Sequence, residues 1–518
     1  MGGAAGFDAS ARGPLLTHPP QGQRDHQDGE VVAPPMVIGR NRRHGSADLP
    51  VHDPATGDLV GRAPLAGTMD VDEAVAAARE AQSAWAALGA ARRAEFLHTL
   101  AAAVADRAEE LATLFTREQG KPLVEARAEV ERVRANLAYA AALVPALREE
   151  MIRSDSESLT FLAHRPVGVV AQILPWNSPL ILGAIKLGAA LLAGDTVVSL
   201  PAPSACLTWL RIGEIAAGLL PPGVLNTLSG PGVVVGEALV RHPDVRMVSF
   251  TGGVANGQRV MAASAGMIKK LVLELGGNDP ALLLEDVDLS DALLARLQHA
   301  TFRNAGQVCM AVKRIYVHEG IADRFLDRFV ERVRRIRVGP GMDPSSQMGP
   351  LHNAAQLERV EALVEDARRR GGTILTGGTR VTTGPCRQGH FYAPTVITGL
   401  DDDAPLVQEE QFGPVVPILT FRDDSEVVTR ANHSSYGLGA SVWTRDLPRG
   451  LDLAARLEAG TVWLNAHSAW FLDPAAPFGG VKGSGLGREK GPHGLWEYTE
   501  LQTVCVPLGE AVGPGGTA

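Results

Sequence analysis

Short apolar runs alternate with helix-length segments through the middle of the chain, and this alternation limits the possible folds strongly. Four runs rich in Val, Leu and Ile are separated by stretches long enough for a helix, and they cover residues 167–174, 196–200, 224–228 and 245–250. Strands that alternate with helices form a parallel, doubly wound sheet. The sequence therefore predicts an α/β fold.

The pattern extends to both sides of this region. Ala-rich helices are predicted from Asp70, an N-cap candidate with Glu73 at N3, to about residue 147. A second alternating region, from about 275 to 483, contains two strand and two helix candidates, at 314–317, 415–421, 321–336 and 353–370. Residues 498–507 predict a strand that can pair outside its own domain.

Charge and hydropathy exclude several classes of protein. The 518 residues contain 49 Lys and Arg against 58 Asp and Glu, and this net charge of −9 lacks the basic excess of a general nucleic-acid binder. The longest apolar stretch, 179–194, is interrupted by Lys186 and is shorter than the ~20 residues of a membrane helix. No signal peptide is recognisable. We therefore expect a cytoplasmic protein with neither nucleic acid nor membrane as partner.

The chain ends and the cysteines add two expectations. Residues 1–46 mix Gly, Pro, Arg and His without periodicity and predict a flexible extension, and residues 508–518 predict a tail. The four cysteines are far apart and form no Cys-x-x-Cys pair, which indicates neither a disulfide framework nor a metal site. They are Cys206, Cys309, Cys386 and Cys505.

A glycine-containing turn follows the strand candidate 245–250. Residues 251–257 include Gly252, Gly253 and Gly257 and should open a helix. Backbone N–H groups at a helix N-terminus attract phosphate, and glycine permits its close approach. The spacing is not Gly-x-Gly-x-x-Gly, so an ordinary tight turn remains an alternative to a dinucleotide site.

Three further residues are candidates for covalent chemistry. Glu274 ends an apolar run, Cys309 lies between Val and Met, and Asn177 follows a strand end. A thiol can act as a nucleophile, a carboxylate as a base and an amide as an oxyanion donor. Each also has an ordinary structural interpretation, namely a loop carboxylate, a core cysteine and a turn asparagine.

Taken in order, these segments resemble the NAD(P)-dependent aldehyde dehydrogenase superfamily over roughly residues 51–506. The motifs that carry the resemblance are Pro-Trp-Asn (175–177), Phe-Thr-Gly (250–252), Glu-Leu-Gly-Gly (274–277), Gly-Gln-Val-Cys (306–309), Glu-Glu-Gln-Phe-Gly-Pro-Val (409–415), Pro-Phe-Gly-Gly (477–480) and Ser-Gly-Leu-Gly-Arg-Glu (484–489). Chance does not supply such an ordered series.

The resemblance implies a role for each matching residue. Cys309 would be the nucleophile, Glu274 the general base and Asn177 an oxyanion donor, while Lys186 and Glu489 would assist proton movement. Residues implied to bind NAD, with NADP possible, are Trp176, Gly230, Gly252, Gly253, Leu275, Glu410 and Phe412. No metal is implied.

Two departures from the family pattern concern the cofactor. Leu200 and Pro203 stand where the family commonly has Lys and Glu near the adenosine ribose, and Gly253 stands where Ser is frequent. A Glu at position 203 would bind the ribose hydroxyl of NAD and repel the 2′-phosphate of NADP. We therefore expect modest affinity and weak discrimination between the two cofactors.

The resemblance also implies the domain organisation. A Rossmann-like parallel-sheet cofactor domain would comprise 47–147 and 167–276, and an α/β catalytic domain 277–483. A small β oligomerisation element would comprise 148–166 and 484–507 and would give a homodimer or homotetramer.

The expected activity is oxidation of an aldehyde to a carboxylic acid. Alternatives are a CoA-acylating dehydrogenase, which Glu274 disfavours, and a catalytically silent dinucleotide-binding structural protein. Positions expected to line the aldehyde tunnel are mostly apolar and include no cation, so an apolar aldehyde is expected and a small dianionic semialdehyde is disfavoured. They are Ser178, Leu182, Ile185, Val308, Met310 and Trp470.

Overall fold

The computed structural model describes residues 32–45, 47–468 and 471–508. Its strands are β1 (Met36–Ile38), β2 (Asn41–Arg43), β3 (Asp48–His52), β4 (Leu59–Pro64), β5 (Glu150–Ser154), β6 (Ser158–Pro166), β7 (Val169–Leu174), β8 (Thr196–Pro201), β9 (Leu225–Thr227), β10 (Met247–Thr251), β11 (Lys270–Glu274), β12 (Asp279–Leu283), β13 (Val312–His318), β14 (Thr373–Thr376), β15 (Thr395–Thr398), β16 (Val415–Phe421), β17 (Gly439–Trp443), β18 (Thr461–Leu464), β19 (Gly485–Leu486) and β20 (Thr499–Pro507).

The helices occupy the connections between these strands. They are α1 (Thr68–Ala87), α2 (Gly89–Ala105), α3 (Ala108–Gln119), α4 (Leu123–Ala142), α5 (Pro179–Ala193), α6 (Leu207–Ala217), α7 (Glu237–Arg241), α8 (Val254–Ala265), α9 (Asp291–Phe302), α10 (Ala322–Arg334), α11 (Ala354–Arg369), α12 (Pro405–Gln408), α13 (Asp424–Asn432), α14 (Leu447–Arg456) and α15 (Gly491–Trp496).

Two large sheets form the architecture. The first has the strand order β19-β11-β10-β7-β8-β9-β1-β2, and the second has the order β14-β15-β16-β13-β12-β17-β18. The neighbouring strands from β11 to β9 are parallel, and helices cover both faces, so their side chains are almost all buried. The predicted α/β fold with a parallel, Rossmann-like sheet is confirmed.

A third sheet has three antiparallel strands in the order β20-β6-β5. β20 pairs with β6 from Thr499 opposite Pro166 to Pro507 opposite Ser158. The predicted terminal strand is therefore present, and within this chain it pairs with the segment expected to share its element. β19, by contrast, pairs with β11 in the first large sheet, so residues 484–507 do not all belong to the small sheet.

The structure corrects the end of the predicted N-terminal extension at 1–46, of which residues 1–31 lie outside the described residues, as do 509–518 of the predicted tail. Residues 36–43 form a hairpin, in which Gly39 makes the turn at a φ of 58°, and β1 pairs with β9 at the edge of the first large sheet. Met36, Val37 and Ile38 are buried there, because three consecutive apolar side chains gain by covering the sheet edge. An apolar run this short is easily overlooked beside charged neighbours.

The start of α1 is also corrected. Gly67 is the N-cap, and Asp70, predicted as the N-cap, is the N3 residue, whose carboxylate accepts a hydrogen bond from the Gly67 N–H at 2.9 Å. An acidic side chain in the first turn stabilises a helix from either position, so the pattern gave the helix but not its first residue. Within the described residues, no helix has the length and hydropathy to span a membrane.

Candidate active site

The parallel strands of the first large sheet end along one edge, and candidate residues follow each end. Trp176 and Asn177 follow β7, Gly252 follows β10, and Glu274 ends β11. Residues 250 and 173 are paired in register, and so are 251 and 274, which brings the three loops side by side. Ligands bind at this edge in open α/β sheets.

Cys309 follows a loop of unusual backbone conformation. Asn304, Ala305 and Gly306 have φ values of 50°, 53° and 71°, a left-handed run that is costly for the two non-glycine residues. Asn304 Nδ2 donates to the Asn177 carbonyl at 3.3 Å, and a Cβ on Gly306 would lie 2.1 Å from the Gly413 carbonyl oxygen. Contacts from distant segments therefore hold the loop that presents Cys309.

Cys309 is half-buried, and polar contacts hold the backbone of the loop that carries it. Asn177 Nδ2 donates to the Gln307 carbonyl at 3.0 Å, and Lys313 Nζ donates to the carbonyls of Val308 and Cys309 at 2.7 Å each. Burial raises the pKa of Cys309 to about 12, although the Lys313 cation opposes the shift. The resting thiol is protonated, so a base must accept its proton during attack.

Glu274 is such a base. Its carboxyl group is buried, and neither oxygen has a hydrogen-bond partner within the described residues. Burial raises the pKa of Glu274 well above its ordinary value, the Glu489 carboxylate raises it further, and Lys186 and Arg488 oppose the shift. Buried polar atoms without partners are rare in folded proteins, and perturbed carboxyl groups cluster at functional sites.

A buried polar chain lies behind Glu274. Lys186 Nζ forms an ion pair with Glu489 and donates to Ser249 Oγ at 3.2 Å, and Ser249 Oγ lies 2.8 Å from the Tyr498 hydroxyl oxygen. The motifs in the sequence indicated Lys186 and Glu489 but not Ser249 and Tyr498. The one sequence signal for Ser249 is a hydroxyl residue inside an apolar strand.

The turn after β10, where cofactor contacts are expected, lies at the same edge of the sheet. Gly253 is the N-cap of α8, no side chain caps this helix, and a Cβ on Gly253 would meet no atom within 4 Å. Thr251 Oγ1 is buried and has no hydrogen-bond partner in the described residues. An uncapped helix N-terminus with space before it fits the pyrophosphate of a dinucleotide.

Two more of the expected cofactor residues, Glu410 and Phe412, lie in the loop after α12. Glu410 accepts a hydrogen bond from the Gly277 N–H at 3.1 Å and lies 3.4 Å from Lys313 Nζ. Phe412, at a φ of 49°, meets the Trp176 ring edge-on with the ring centres 5.3 Å apart. The structure thus brings Glu410, Phe412 and Trp176 to one place from separate segments.

Three other positions considered for the cofactor pack against apolar side chains. They are Leu200, Gly230 and Leu275. A Cβ on Gly230 would lie 2.6 Å from the Val235 side chain, and Leu275 contacts the position where a Gly257 side chain would be. Leu200 is buried in the same apolar cluster as Val235. Leu200 therefore offers no polar contact to a ribose.

Cys309, Glu274 and Asn177 line one cavity between the two large sheets. Five residues expected in the aldehyde tunnel line it too, namely Ser178, Leu182, Ile185, Val308 and Met310. Trp470 lies outside the described residues.

Three basic residues that the sequence motifs did not indicate also line the cavity: Arg132, Arg303 and Lys490. The expectation that no cation lines the tunnel is therefore wrong, because these residues come from segments that the motifs do not mark as tunnel wall.

Comparison with known proteins identifies this arrangement. The model of the aldehyde dehydrogenase family matches residues 42–504. The chain belongs to the aldehyde dehydrogenase family. The resemblance inferred from the motifs is confirmed, and membership makes the chain an NAD(P)-dependent enzyme of the aldehyde-oxidising class.

Solved structures of aldehyde dehydrogenases superpose on nearly the whole chain. A mutant of an aldehyde dehydrogenase from Bacillus cereus is 38% identical, with a TM-score of 0.88 over 92% of this chain and 97% of its own. A point mutant of betaine aldehyde dehydrogenase from Staphylococcus aureus, with NAD+ and a chemically modified cysteine, is 32% identical, with a TM-score of 0.89 over 93% and 98%. An NADP-dependent enzyme from E. coli is 34% identical, with a TM-score of 0.88 over 92% and 98%.

The described residues contain no group of three or more His, Cys, Asp or Glu side chains arranged to hold a metal ion.

Proposed function

We propose that this aldehyde dehydrogenase converts an aldehyde to a carboxylic acid through a covalent intermediate on Cys309. The observation that carries the proposal is that Glu274, with both oxygens buried and unpartnered in the described residues, lines the same cavity as Cys309. A carboxylate held in this state is a strong base. It serves both steps that require removal of a proton.

In the first step Cys309 Sγ attacks the carbonyl carbon, and the thiol proton goes to Glu274. The Asn177 amide and the Cys309 backbone N–H then stabilise the oxyanion of the thiohemiacetal. Loss of hydride from this carbon leaves a thioester. A bound nicotinamide dinucleotide supplies the hydride acceptor, and Trp176, Gly230, Gly252, Gly253, Leu275, Glu410 and Phe412 would hold it.

Before the second step the thiol proton leaves Glu274, and Lys186 and Glu489, which lie beside it, would pass that proton onward. Ionised again, Glu274 takes a proton from water, and the hydroxide oxygen bonds to the thioester carbon. The C–S bond then breaks, and Glu274 gives its proton to the departing Sγ, which releases the carboxylic acid and restores the thiol. This buried base favours hydrolysis over transfer to CoA, because an activated water competes with any other acyl acceptor.

The experiment that tests the proposal uses simple aldehydes with NAD and with NADP and follows reduced cofactor and acid together. Equal amounts of reduced cofactor and free acid, without CoA, support hydrolytic oxidation. Reduced cofactor that appears only when CoA is present would overturn it, and binding of dinucleotide without turnover of any aldehyde would favour the silent structural protein.

We also infer a homodimer or homotetramer assembled through the small sheet β20-β6-β5. Met151 and Ile152 on β5 and Leu501 on β20 are more than half exposed, which places apolar side chains in water on this sheet. β20 is an edge strand within this chain. Light scattering of the purified protein measures the assembly, and a monomer at micromolar concentration would contradict it.

A further inference from the structure

We propose, resting on the proposed function, that the preferred substrate is an aldehyde that carries a carboxylate at its remote end. The active-site cavity has apolar walls, including Ile181, Leu182 and Ile185, and three basic residues, Arg132, Arg303 and Lys490. An apolar chain with an anionic end matches both parts of this lining.

Charge balance in the cavity supports this substrate class. The two acidic residues in the lining are Glu274 and Glu489. Glu489 is paired with Lys186, which leaves Glu274 as the acidic counterpart of the three basic residues in the lining. The cavity therefore has an excess of positive charge, although the protein as a whole has a net charge of −9. A buried positive site attracts an anion strongly, because little solvent screens it.

The three cations lie near one another. Burial, and after it the Arg303 cation, lower the pKa of Arg132 to about 10 against the opposing effect of Glu129 and Glu125. Burial also lowers the pKa of Lys490, with Arg132 as the next cause, while Glu489 and the exposed Asp473 oppose it. Such mutual repulsion costs stability that a bound carboxylate would restore.

Arg303 and Lys490 differ in their acidic neighbours. Arg303 Nε forms a loose ion pair with Glu125 at 3.8 Å, which is longer than a hydrogen bond, and the Glu125 carboxylate also accepts a hydrogen bond from the Asn304 N–H at 3.1 Å. No carboxylate in the described part of the chain lies within ion-pairing distance of the Lys490 ammonium. Both side chains therefore keep donors for a ligand.

The backbone at Lys490 gives an independent indication. Lys490 has a φ of 65°, in the left-handed region that favours glycine, and Gly491 follows with a φ of 59°. A lysine at this position costs backbone energy that glycine would not, and strain of this kind is typical of functional sites. The strained residue is therefore one of those that line the cavity.

The test compares each of three aldehydes, 4-oxobutanoate, 5-oxopentanoate and 6-oxohexanoate, with its own methyl ester. The ester keeps the length of the chain and removes the charge. We expect the parent enzyme to prefer at least one carboxylate over its ester by about tenfold or more in kcat/KM, as befits charge-assisted hydrogen bonds. This preference should fall as salt is added.

Two variants test whether Lys490 and Arg303 cause the preference for a carboxylate over its ester. Lys490→Gly removes the ammonium and suits the backbone, and Arg303→Gln removes the guanidinium. Each should reduce the ratio of kcat/KM for carboxylate to that for ester by about tenfold, mainly through KM. Arg134→Gln is the control, since Arg134 is on the same helix as Arg132 but pairs with Glu131 in solvent, and it should leave the ratio unchanged.

Either of two outcomes would overturn the proposal. In the first, the parent enzyme has an equal or higher kcat/KM for each of the three esters than for the matching carboxylate. In the second, the ratio of kcat/KM for carboxylate to that for ester is unchanged in both folded variants. If Arg303→Gln fails to fold, Lys490→Gly and the parent ratio still decide. Failure of the proposed function is distinguishable, because no aldehyde, charged or neutral, would then give reduced cofactor and acid.

Discussion

Lys186 and Glu489, 303 residues apart in the chain, form an ion pair whose side chains are 1% and 2% exposed. Lys186 comes from the middle of α5, and Glu489 precedes α15. Removing either partner of a buried ion pair leaves an uncompensated charge inside the protein, which lowers the free energy of unfolding. This pair sets the electrostatic surroundings of Glu274.

The first prediction concerns Glu274→Gln. Amide in place of carboxylate keeps the shape but removes the acceptor of the thiol proton and of the water proton, so acylation of Cys309 and hydrolysis of the thioester should both slow. We expect no burst of reduced cofactor and a steady state at least ~100-fold slower than the parent. Rapid-mixing absorbance measures the burst, and mass spectrometry tests for acyl on Cys309. A burst near one equivalent per site, with acyl trapped on Cys309, would instead confine Glu274 to the hydrolytic step.

The second prediction concerns the pH dependence of steady-state turnover. Glu274 acts as a base only when ionised, and its pKa is raised, so activity should rise with pH until that raised pKa is passed. Glu489→Gln removes the negative charge that raises it, and the unpaired Lys186 cation then lowers it further. The acidic limb of the kcat profile should therefore move to lower pH in this variant. A limb that stays in place or moves to higher pH would contradict the coupling.

The third prediction concerns the four cysteines. Cys309→Ala should lower turnover by at least ~10³-fold, since the nucleophile is lost, while NAD binding and the melting temperature stay close to the parent. Cys386→Ala and Cys505→Ala are controls that should keep most activity, as should Cys206→Ala. Burial raises the pKa of Cys206 well above its ordinary value, so this thiol is unreactive. An essential cysteine among these three would show that the nucleophile has been assigned to the wrong residue.

The fourth prediction concerns cofactor choice. Pro203 is half-buried just beyond the carboxyl end of β8, and neither it nor Leu200 supplies a charged group for the ribose. We expect the dissociation constants of NAD and NADP, measured by titration calorimetry, to differ little. Pro203→Glu should shift the preference toward NAD by about tenfold, the worth of one hydrogen bond to a charged acceptor. Strong NADP selectivity in the parent would require a basic partner for the phosphate elsewhere.

The sequence by itself determined the alternation of strands and helices, and with it the α/β fold. It also marked Glu274 and Asn177, because residues at the ends of parallel strands meet at one edge whatever the packing above them, and it marked Cys309 through the motif that contains it. The ordered motifs then gave the family. Local patterns of this kind survive in the sequence, since each depends on a few neighbouring residues.

Only the tertiary structure decided what surrounds those residues. Arg132, Arg303 and Lys490 belong to three separate segments, and nothing in their local patterns distinguishes them from solvated charges. Ser249 on β10 and Tyr498, which directly precedes β20, are 249 residues apart and meet only in the folded chain. The hairpin at 36–43 is a strand pair only because the edge of β9 is available to it. Contacts between distant segments depend on the whole fold, which is why periodicity and motif spacing cannot reveal them.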